Sequence, residues 1–500
     1  DFKKAFDSIQ RDKLWLIMQN HGVSCKMNIL LQNIYDNVKV CIRNNHEISE
    51  SFDCNVGLRQ GCILSPFLFS MFINEFANII QQRGSHGIQL HPYITQLFQL
   101  LFADDMILFS TSVIGLQRQI NELEQYCNET DLTVNTEKTK ILVFKNGGKL
   151  SKTEKWVYKG QPLEVTNSYK YLGVYFTNRL GFSTHAQYCS TQAKKVLIGV
   201  LKSIHKLVDI DYNSYFKIFD TKILPILLYG AEVWGFNNYD TIEKIHLYVC
   251  KKFLGVKSST PNVMVYGECG RFPVGIQAKI KIVKYWIRVL NMPTSRYPRQ
   301  CYDMMFLYDK NGKTNWVSYL RDLLNKIGFG DVWQIQNVDL HTNFVNNVTQ
   351  RLKDIYMQEW VVSLSLSSKC FYYRMFKSHI YREDYLCSLN IKKFRKTLSR
   401  FRCSSHDLAV ETGRYHKIDR VNRICKYCDL NCIEDEFHFL LVCPLYYDLR
   451  NEIIPVYYHA QPNNLKFAML LKSDDNVLIR NLSTFIHKAM EIRNRHQQLV

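Results

Sequence analysis

Leu100-Leu101-Phe102-Ala103-Asp104-Asp105-Met106-Ile107-Leu108-Phe109-Ser110 is the stretch that decides how the first part of this 500-residue chain is read. Two apolar runs flank an adjacent pair of carboxylates, a pattern of strand, tight turn and strand. Such a hairpin carries Asp104 and Asp105 at its tip, pushed out of a buried sheet. Adjacent carboxylates repel each other and resist desolvation, so a fold that keeps them together implies a compensating cation. Hard oxygen donors in that arrangement suit Mg²⁺. An Asp-Asp pair alone is more often a solvated turn, and it is the company this pair keeps that shifts the balance.

Composition narrows the classes. Apolar residues make up 46% and charged residues 22%, values of a globular chain long enough for two to four domains. The apolar run 223–236 is interrupted by Pro225, Gly230 and Glu232, and no run reaches membrane-spanning length. A net charge of +19 favours a polyanionic partner such as nucleic acid. The excess concentrates between Lys369 and Lys426, where 15 Lys or Arg face five Asp or Glu. Aromatic residues interleave there (Phe371, Tyr372, Tyr373, Phe376, Tyr381, Tyr385, Phe394, Phe401), either stacking on bases or forming a core under a basic surface. Sixteen scattered cysteines with no secretory signal predict reduced thiols in an intracellular protein, in nucleus or cytoplasm.

Upstream of the acidic pair, Asp1-Phe2-Lys3-Lys4-Ala5-Phe6-Asp7 opens the chain, and the pattern predicts a helix over Arg11 to Asn20. A strand over Val38 to Arg43 leads to Gly57-Leu58-Arg59-Gln60-Gly61-Cys62-Ile63-Leu64-Ser65-Pro66. There Ser65 is expected to cap a strongly apolar helix, Phe67 to Gln82, with Pro66 in its first position. Downstream, Gly115 to Asn128 reads as an amphipathic helix. Asn135-Thr136-Glu137-Lys138-Thr139 then leads into a strand, Lys140 to Phe144, and Ser168 to Phe176 reads as a strand pair around Tyr171-Leu172-Gly173.

The order Asp-x-x-x-Ala-Phe-Asp, Arg-Gln-Gly-x-x-x-Ser-Pro, Phe-Ala-Asp-Asp, Asn-x-x-Lys-Thr and Tyr-Leu-Gly resembles the palm of a reverse transcriptase, most of all those of non-LTR, LINE-type retrotransposons. Five motifs in family order over about 175 residues are far more specific than any one alone. The resemblance implies an α+β right-hand polymerase palm over 1–180 and a helical thumb over 181–260. A helical connection over 261–410 and a zinc-binding, helical end over 411–500 would follow. The implied activity is RNA-directed DNA synthesis from dNTPs on an RNA template and a DNA primer, with two Mg²⁺ ions held by Asp1, Asp104 and Asp105.

The same resemblance implies the finer roles. Phe6 would sit under the incoming sugar and reject a 2′-hydroxyl, or be a plain core residue. Gln60 and Gly61 would meet nucleotide and template, and Arg59 a phosphate or merely a surface partner. Lys138 would protonate the leaving pyrophosphate, and Tyr171, Leu172 and Gly173 would seat the primer end. Asp7 reads as a surface or capping acid. Family fingers, which hold the triphosphate, precede the position of Asp1, so the chain as it stands is expected to be inactive or nearly so.

Thr184 to Leu207 and Tyr212 to Tyr229 read as helices with Lys194, Lys195, Lys202 and Lys206, suited to phosphate contacts. Trp286, Trp316, Trp333 and Trp360 are expected core. Near the end, Cys425, Cys428, His438 and Cys443 have the spacing of a closed tetrahedral zinc site, with His438 and Cys443 on a short helix and Cys432 as a spare thiol. The alternative from another class is a catalytically silent nucleic-acid-binding protein derived from a retrotransposon; maturase-like assistance to RNA is a weaker third.

Overall fold

The computed structural model describes residues 1–500 apart from 45–46, 84–86, 92–93, 146, 206–208, 238, 339–342 and 500. Two compact units emerge, one of residues 1–182 with 294–304 and one of residues 183–293 with 305–500.

The first unit mixes helices and short strand pairs. Its core is an aromatic spine on the helix Ser65–Gln82, where Phe69, Phe72 and Phe76 recur every three or four residues and are fully buried. Ile9, Leu14 and Tyr35 pack into the same cluster, as do Ile120 and Tyr126 of the helix Val113–Thr130. Tyr126 ends its burial by donating to the Phe72 carbonyl at 2.8 Å. The helix Arg11–Asn20 has the expected bounds. Ser65, however, does not cap its helix: it is the first helical residue, and its hydroxyl donates instead to the Arg59 carbonyl at 2.6 Å. The predicted strand 38–43 is two short pieces, Lys39–Val40 and Arg43–Asn44, which pair with different partners.

The acidic hairpin forms as expected, Gln99–Phe102 against Asp105–Leu108 in antiparallel register with Phe102 opposite Asp105. Its two-residue turn needs a left-handed residue, and Ala103 takes φ +53°. Burial is only half of what the apolar runs suggest, for Phe102 is 62% exposed. A two-stranded ribbon covers one face, here through Leu101 and Met106 against the core.

The second unit is helical, and Trp286, Trp333 and Trp360 are buried in it. The segment expected as one helix over 212–229 is Tyr212–Ile218, a wide π turn Phe219–Ile223 and Leu224–Leu227. The wide turn lies just before Pro225, whose missing N–H and ring disfavour a regular helix interior. The helix predicted over 184–207 spans Ser183–His205, and Lys206 and Leu207 lie outside the described residues.

The basic aromatic stretch follows the core reading more than the stacking one. Tyr373, Phe376, Tyr385 and Phe401 are buried, whereas Tyr381 is exposed. Several of its cations are internal too. Arg402 bonds Glu268 with both prongs, at 2.9 and 3.0 Å, and Glu383 at 2.7 Å, while Lys377 pairs with Glu383. Burial would raise the Glu268 carboxyl, but the Arg402 charge and hydrogen bonds outweigh it and hold Glu268 below the ordinary value of 4.5. A depressed acid stabilises the fold above its unfolded value and loses that contribution as pH falls through its folded one. Removing one partner of a buried pair leaves an uncompensated charge costing about 3–5 kcal/mol. Arg402→Met is therefore expected to destabilise the second unit by that amount in urea unfolding at pH 7; a loss below about 1 kcal/mol would show the network to be dispensable.

Candidate active site and metal centre

Residues 1–3 are built into the first unit by pairing with the segment before Lys140. Phe2 bridges Val134 antiparallel, Lys3 N–H donates to the Thr133 carbonyl at 2.7 Å, and Asn135 N–H to the Asp1 carbonyl at 2.8 Å. Asn135 and Lys138 are thereby carried to the Asp1 edge. Lys138 Nζ lies 3.0 Å from Asp1 Oδ2, with the Asp1 side chain only 14% exposed. Burial lowers the amino group of Asp1, and Asp105 and Asp104, in that order, push it back up. Asp1 is thus brought into the neighbourhood of the adjacent pair Asp104 and Asp105, distant from it in sequence, with Lys138 as the cation paired to Asp1.

A second loop packs beside Phe6 and Asp7. Leu58 N–H donates to the Phe6 carbonyl at 2.7 Å, and Gln60 Nε2 donates to Asp7 Oδ1 at 3.0 Å. Asp7 is a surface acid that holds Gln60. Gly57 has φ +84°, and a Cβ there would lie 2.7 Å from the Asp7 carbonyl oxygen, so only glycine allows this approach. Gly61 also takes φ +84°, with open space around it. Phe6, half-buried, stacks on Phe69 with centroids 4.6 Å apart. Arg59 is exposed and donates to the Ile34 carbonyl at 2.9 Å.

Sequence reasoning missed Arg11. It is 7% exposed, and its guanidinium bonds the carbonyls of Gly57 and Tyr35, both at 2.9 Å, tying the glycine loop to the helix Cys25–Asp36. An arginine at a helix start carries no sequence signal for that duty.

The strand pair after the parallel partners Lys140–Leu142 and Glu164–Thr166 is a hairpin, Ser168–Tyr171 with Val174–Thr177. Leu172 and Gly173 form its turn with φ +44° and +83°. A branched apolar residue in left-handed backbone is strained, and Leu172 is also exposed. Tyr169 and Tyr171 have raised hydroxyls, through burial first and then the Asp105 charge, which sets this hairpin beside the acidic pair.

In the second unit, ligand atoms of Cys425, Cys428, His438 and Cys443 all lie within 4.8 Å of one another. The bridge Ile424–Ile433 and the Cys425 N–H bond to the Cys432 carbonyl form the knuckle. In place of the short helix expected between His438 and Cys443, a wide π turn closes with Cys443 N–H on the His438 carbonyl at 2.8 Å. His438 Nε2 faces Cys428 Sγ at 3.4 Å. Cys432 is exposed, its thiol on the Leu430 carbonyl, and is not in the cluster. Three thiols and an imidazole in this arrangement are compatible with zinc.

Three consecutive buried acids precede the histidine, each tied elsewhere. Glu434 accepts from Arg493 at 2.6 Å, Asp435 from Tyr372 at 2.7 Å and Glu436 from Ser404 at 2.6 Å. Asp435 also accepts the His438 N–H at 2.9 Å.

The family model described as reverse transcriptase (RNA-dependent DNA polymerase) matches residues 1–176. Similar proteins include the 115 kDa protein of type-1 retrotransposable element R1DM of Drosophila melanogaster, 25% identical over 58% of this chain and 28% of the relative. The Pol polyprotein of type-2 element R2DM of the same fly is 27% identical over 35% of this chain and 17% of its own length. The RNA-directed DNA polymerase of the fly mobile element jockey is 22% identical over 39% and 21%. The chain thus spans less than a third of the length of these relatives. No helix among the described residues is long and apolar enough to cross a membrane. With its motifs in order and its acids gathered beside one lysine, the segment 1–176 is a reverse transcriptase domain, in a chain akin to the proteins of non-LTR retrotransposons.

Proposed function

We propose that this chain is an RNA-directed DNA polymerase, extending a DNA primer on an RNA template with dNTPs. The observation that carries the proposal is the gathering of Asp1, Asp104 and Asp105 from separate elements at one edge of a reverse transcriptase domain. Three hard carboxylates against one lysine are a donor set that fits two Mg²⁺ ions, which when bound would neutralise charge on the attacking and leaving oxygens. Residues 1–180 act as palm and 181–260 as thumb in this reading.

Phe6, backed by Phe69, presents a ring that a 2′-hydroxyl would strike. Gln60, held by Asp7, and Gly61, with space around it, meet nucleotide and template, while Arg59 stands within reach of a phosphate. Lys138 holds Asp1 and can pass a proton to the departing pyrophosphate. Tyr171, Leu172 and Gly173 seat the primer end, on a strained turn that leaves the Leu172 side chain partly exposed. Cys425, Cys428, His438 and Cys443 would hold one zinc ion in a structural centre. The site of action would be inside the cell, in nucleus or cytoplasm.

The test is primer extension on an RNA template with the 500-residue chain and Mg²⁺. For the chain as it stands incorporation is expected to be weak at most, but dependent on template and Mg²⁺. Phe6→Val should raise ribonucleotide use relative to deoxynucleotide use at least about tenfold, as relief of a steric clash worth one or more methylenes does. Incorporation without template dependence, or an unchanged sugar preference in the variant, would count against this assignment. A chain that binds the hybrid without extending it would instead favour the silent nucleic-acid-binding reading.

A further inference from the structure

The helix Lys392–Arg402 reads Lys-Lys-Phe-Arg-Lys-Thr-Leu-Ser-Arg-Phe-Arg. Its buried residues Arg395, Leu398, Ser399, Phe401 and Arg402 turn inward, leaving Lys392, Lys396 and Arg400 one turn apart along another face. Like charges at that spacing repel by a few tenths of a kcal/mol per pair. The neighbouring helix Asp240–Leu254 adds Lys252, with exposed Tyr248 and Lys244 one and two turns before it.

The junction between the helices is tight. Arg400 Nε donates to the Gly255 carbonyl at 2.6 Å, and a Cβ on Gly255 would lie 2.7 Å from the Lys396 methylenes. Lys396 is lowered by burial and then by Lys392, Arg400, Lys252 and Arg395, all cations. Asp209 accepts from the backbone N–H of Lys392 at 3.3 Å and its charge acts on the buried Arg395, while Glu491 lies 3.8 Å from Lys393. Among the described residues, no carboxylate forms an ion pair with Lys252, Lys392, Lys396 or Arg400. Arg402, on the same helix, and Lys377, earlier in the same basic stretch, are by contrast neutralised.

We infer that Lys252, Lys392, Lys396 and Arg400 form a phosphodiester-binding ridge of the second unit that grips a nucleic-acid backbone, with Tyr248 beside it to stack on a sugar or base. Successive cations four residues apart rise about 6 Å, slightly more than one turn, a comb suited to a run of phosphates. A ridge of this kind positions a nucleic acid without reading its sequence. It lies outside the reverse transcriptase domain and does not depend on polymerase activity.

Fluorescence anisotropy with the full chain tests it, using a labelled 20-mer DNA duplex and a labelled single-stranded RNA as separate probes. In Lys252→Gln/Lys392→Gln/Lys396→Gln/Arg400→Gln, affinity for at least one probe should fall at least about tenfold at 0.1 M salt. The slope of log affinity against log salt should shrink by about one per cation removed. The charge-matched control Lys222→Gln/Lys310→Gln/Lys313→Gln/Lys326→Gln should leave slope and affinity near wild type. The probe that responds identifies duplex or single strand. Should the quadruple variant not fold, the four single variants carry the test, each lowering the slope by about one. Equal losses in ridge and control variants would overturn the inference, as would an unchanged slope. Binding to vesicles of phosphatidylserine and phosphatidylcholine with none to either nucleic acid would overturn it too. Asp104→Asn should bind both probes like wild type, which separates this result from the fate of the polymerase assignment.

Discussion

Asp104→Asn is expected to lower Mg²⁺-dependent nucleotide incorporation by on the order of 10³-fold or more, leaving hybrid binding intact. The substitution keeps the shape of the turn, since Asn tolerates the same backbone as Asp, and removes one unit of negative charge. In the proposed two-metal site, with Lys138 already paired to Asp1, that charge would decide how strongly a divalent cation is held. Mn²⁺ binding followed by electron paramagnetic resonance reads the same loss without any turnover, so the experiment works even on a slow enzyme. At least a tenfold weaker Mn²⁺ affinity in Asp104→Asn is the expected outcome, with Asp7→Asn near wild type because Asp7 serves Gln60 instead. Equal Mn²⁺ binding in wild type and Asp104→Asn would remove the two-metal reading.

If the Cys425, Cys428, His438 and Cys443 cluster holds the proposed zinc, withdrawing the metal is expected to unfold the end of the second unit and not merely a knuckle. Structural zinc contributes folding free energy directly, with apparent values of about 10–16 kcal/mol in small zinc peptides. Here the ligand loop is clamped by Glu434 on Arg493, Asp435 on Tyr372 and Glu436 on Ser404 and His406. Loosening it frees three buried acids, and each then loses its partner in an apolar interior. Chelation, or Cys443→Ser, should expose the backbone amides of the helix Asn476–Leu499 and of residues 402–411 to hydrogen exchange, and lower the melting temperature of this unit. Cys432→Ser should do neither, since Cys432 is exposed and outside the cluster. Exchange confined to 425–443 would show that the clamp does not transmit the loss.

Much of the motif pattern that marks the domain was legible in the one-dimensional sequence. Asp104 and Asp105 between two apolar runs announce a hairpin tip because strand, turn and strand are local properties of neighbouring residues. Cys425, Cys428, His438 and Cys443 are similarly readable, since ligand spacing is short-range geometry. The helices Arg11–Asn20 and Ser65–Gln82 follow from apolar periodicity, to within two residues at the start of the second.

What the pattern could not say is which charges end inside. Lys377, Arg402 and Lys392 look alike as letters in a basic run, yet two are neutralised in a core and one lies among cations with no ion pair among the described residues. Their partners Glu383 and Glu268 include one more than a hundred residues away, so only chain packing chooses them. Arg11, Gln60 on Asp7, Ser65 on Arg59 and the run Glu434 to Glu436 carry the same lesson. By itself the sequence determined the motifs, the domain they mark and the grouping of three cysteines and a histidine, all written in local spacing. The tertiary structure alone decided which polar groups are paired, buried or left facing solvent, because desolvation and charge pairing depend on neighbours that only folding brings together.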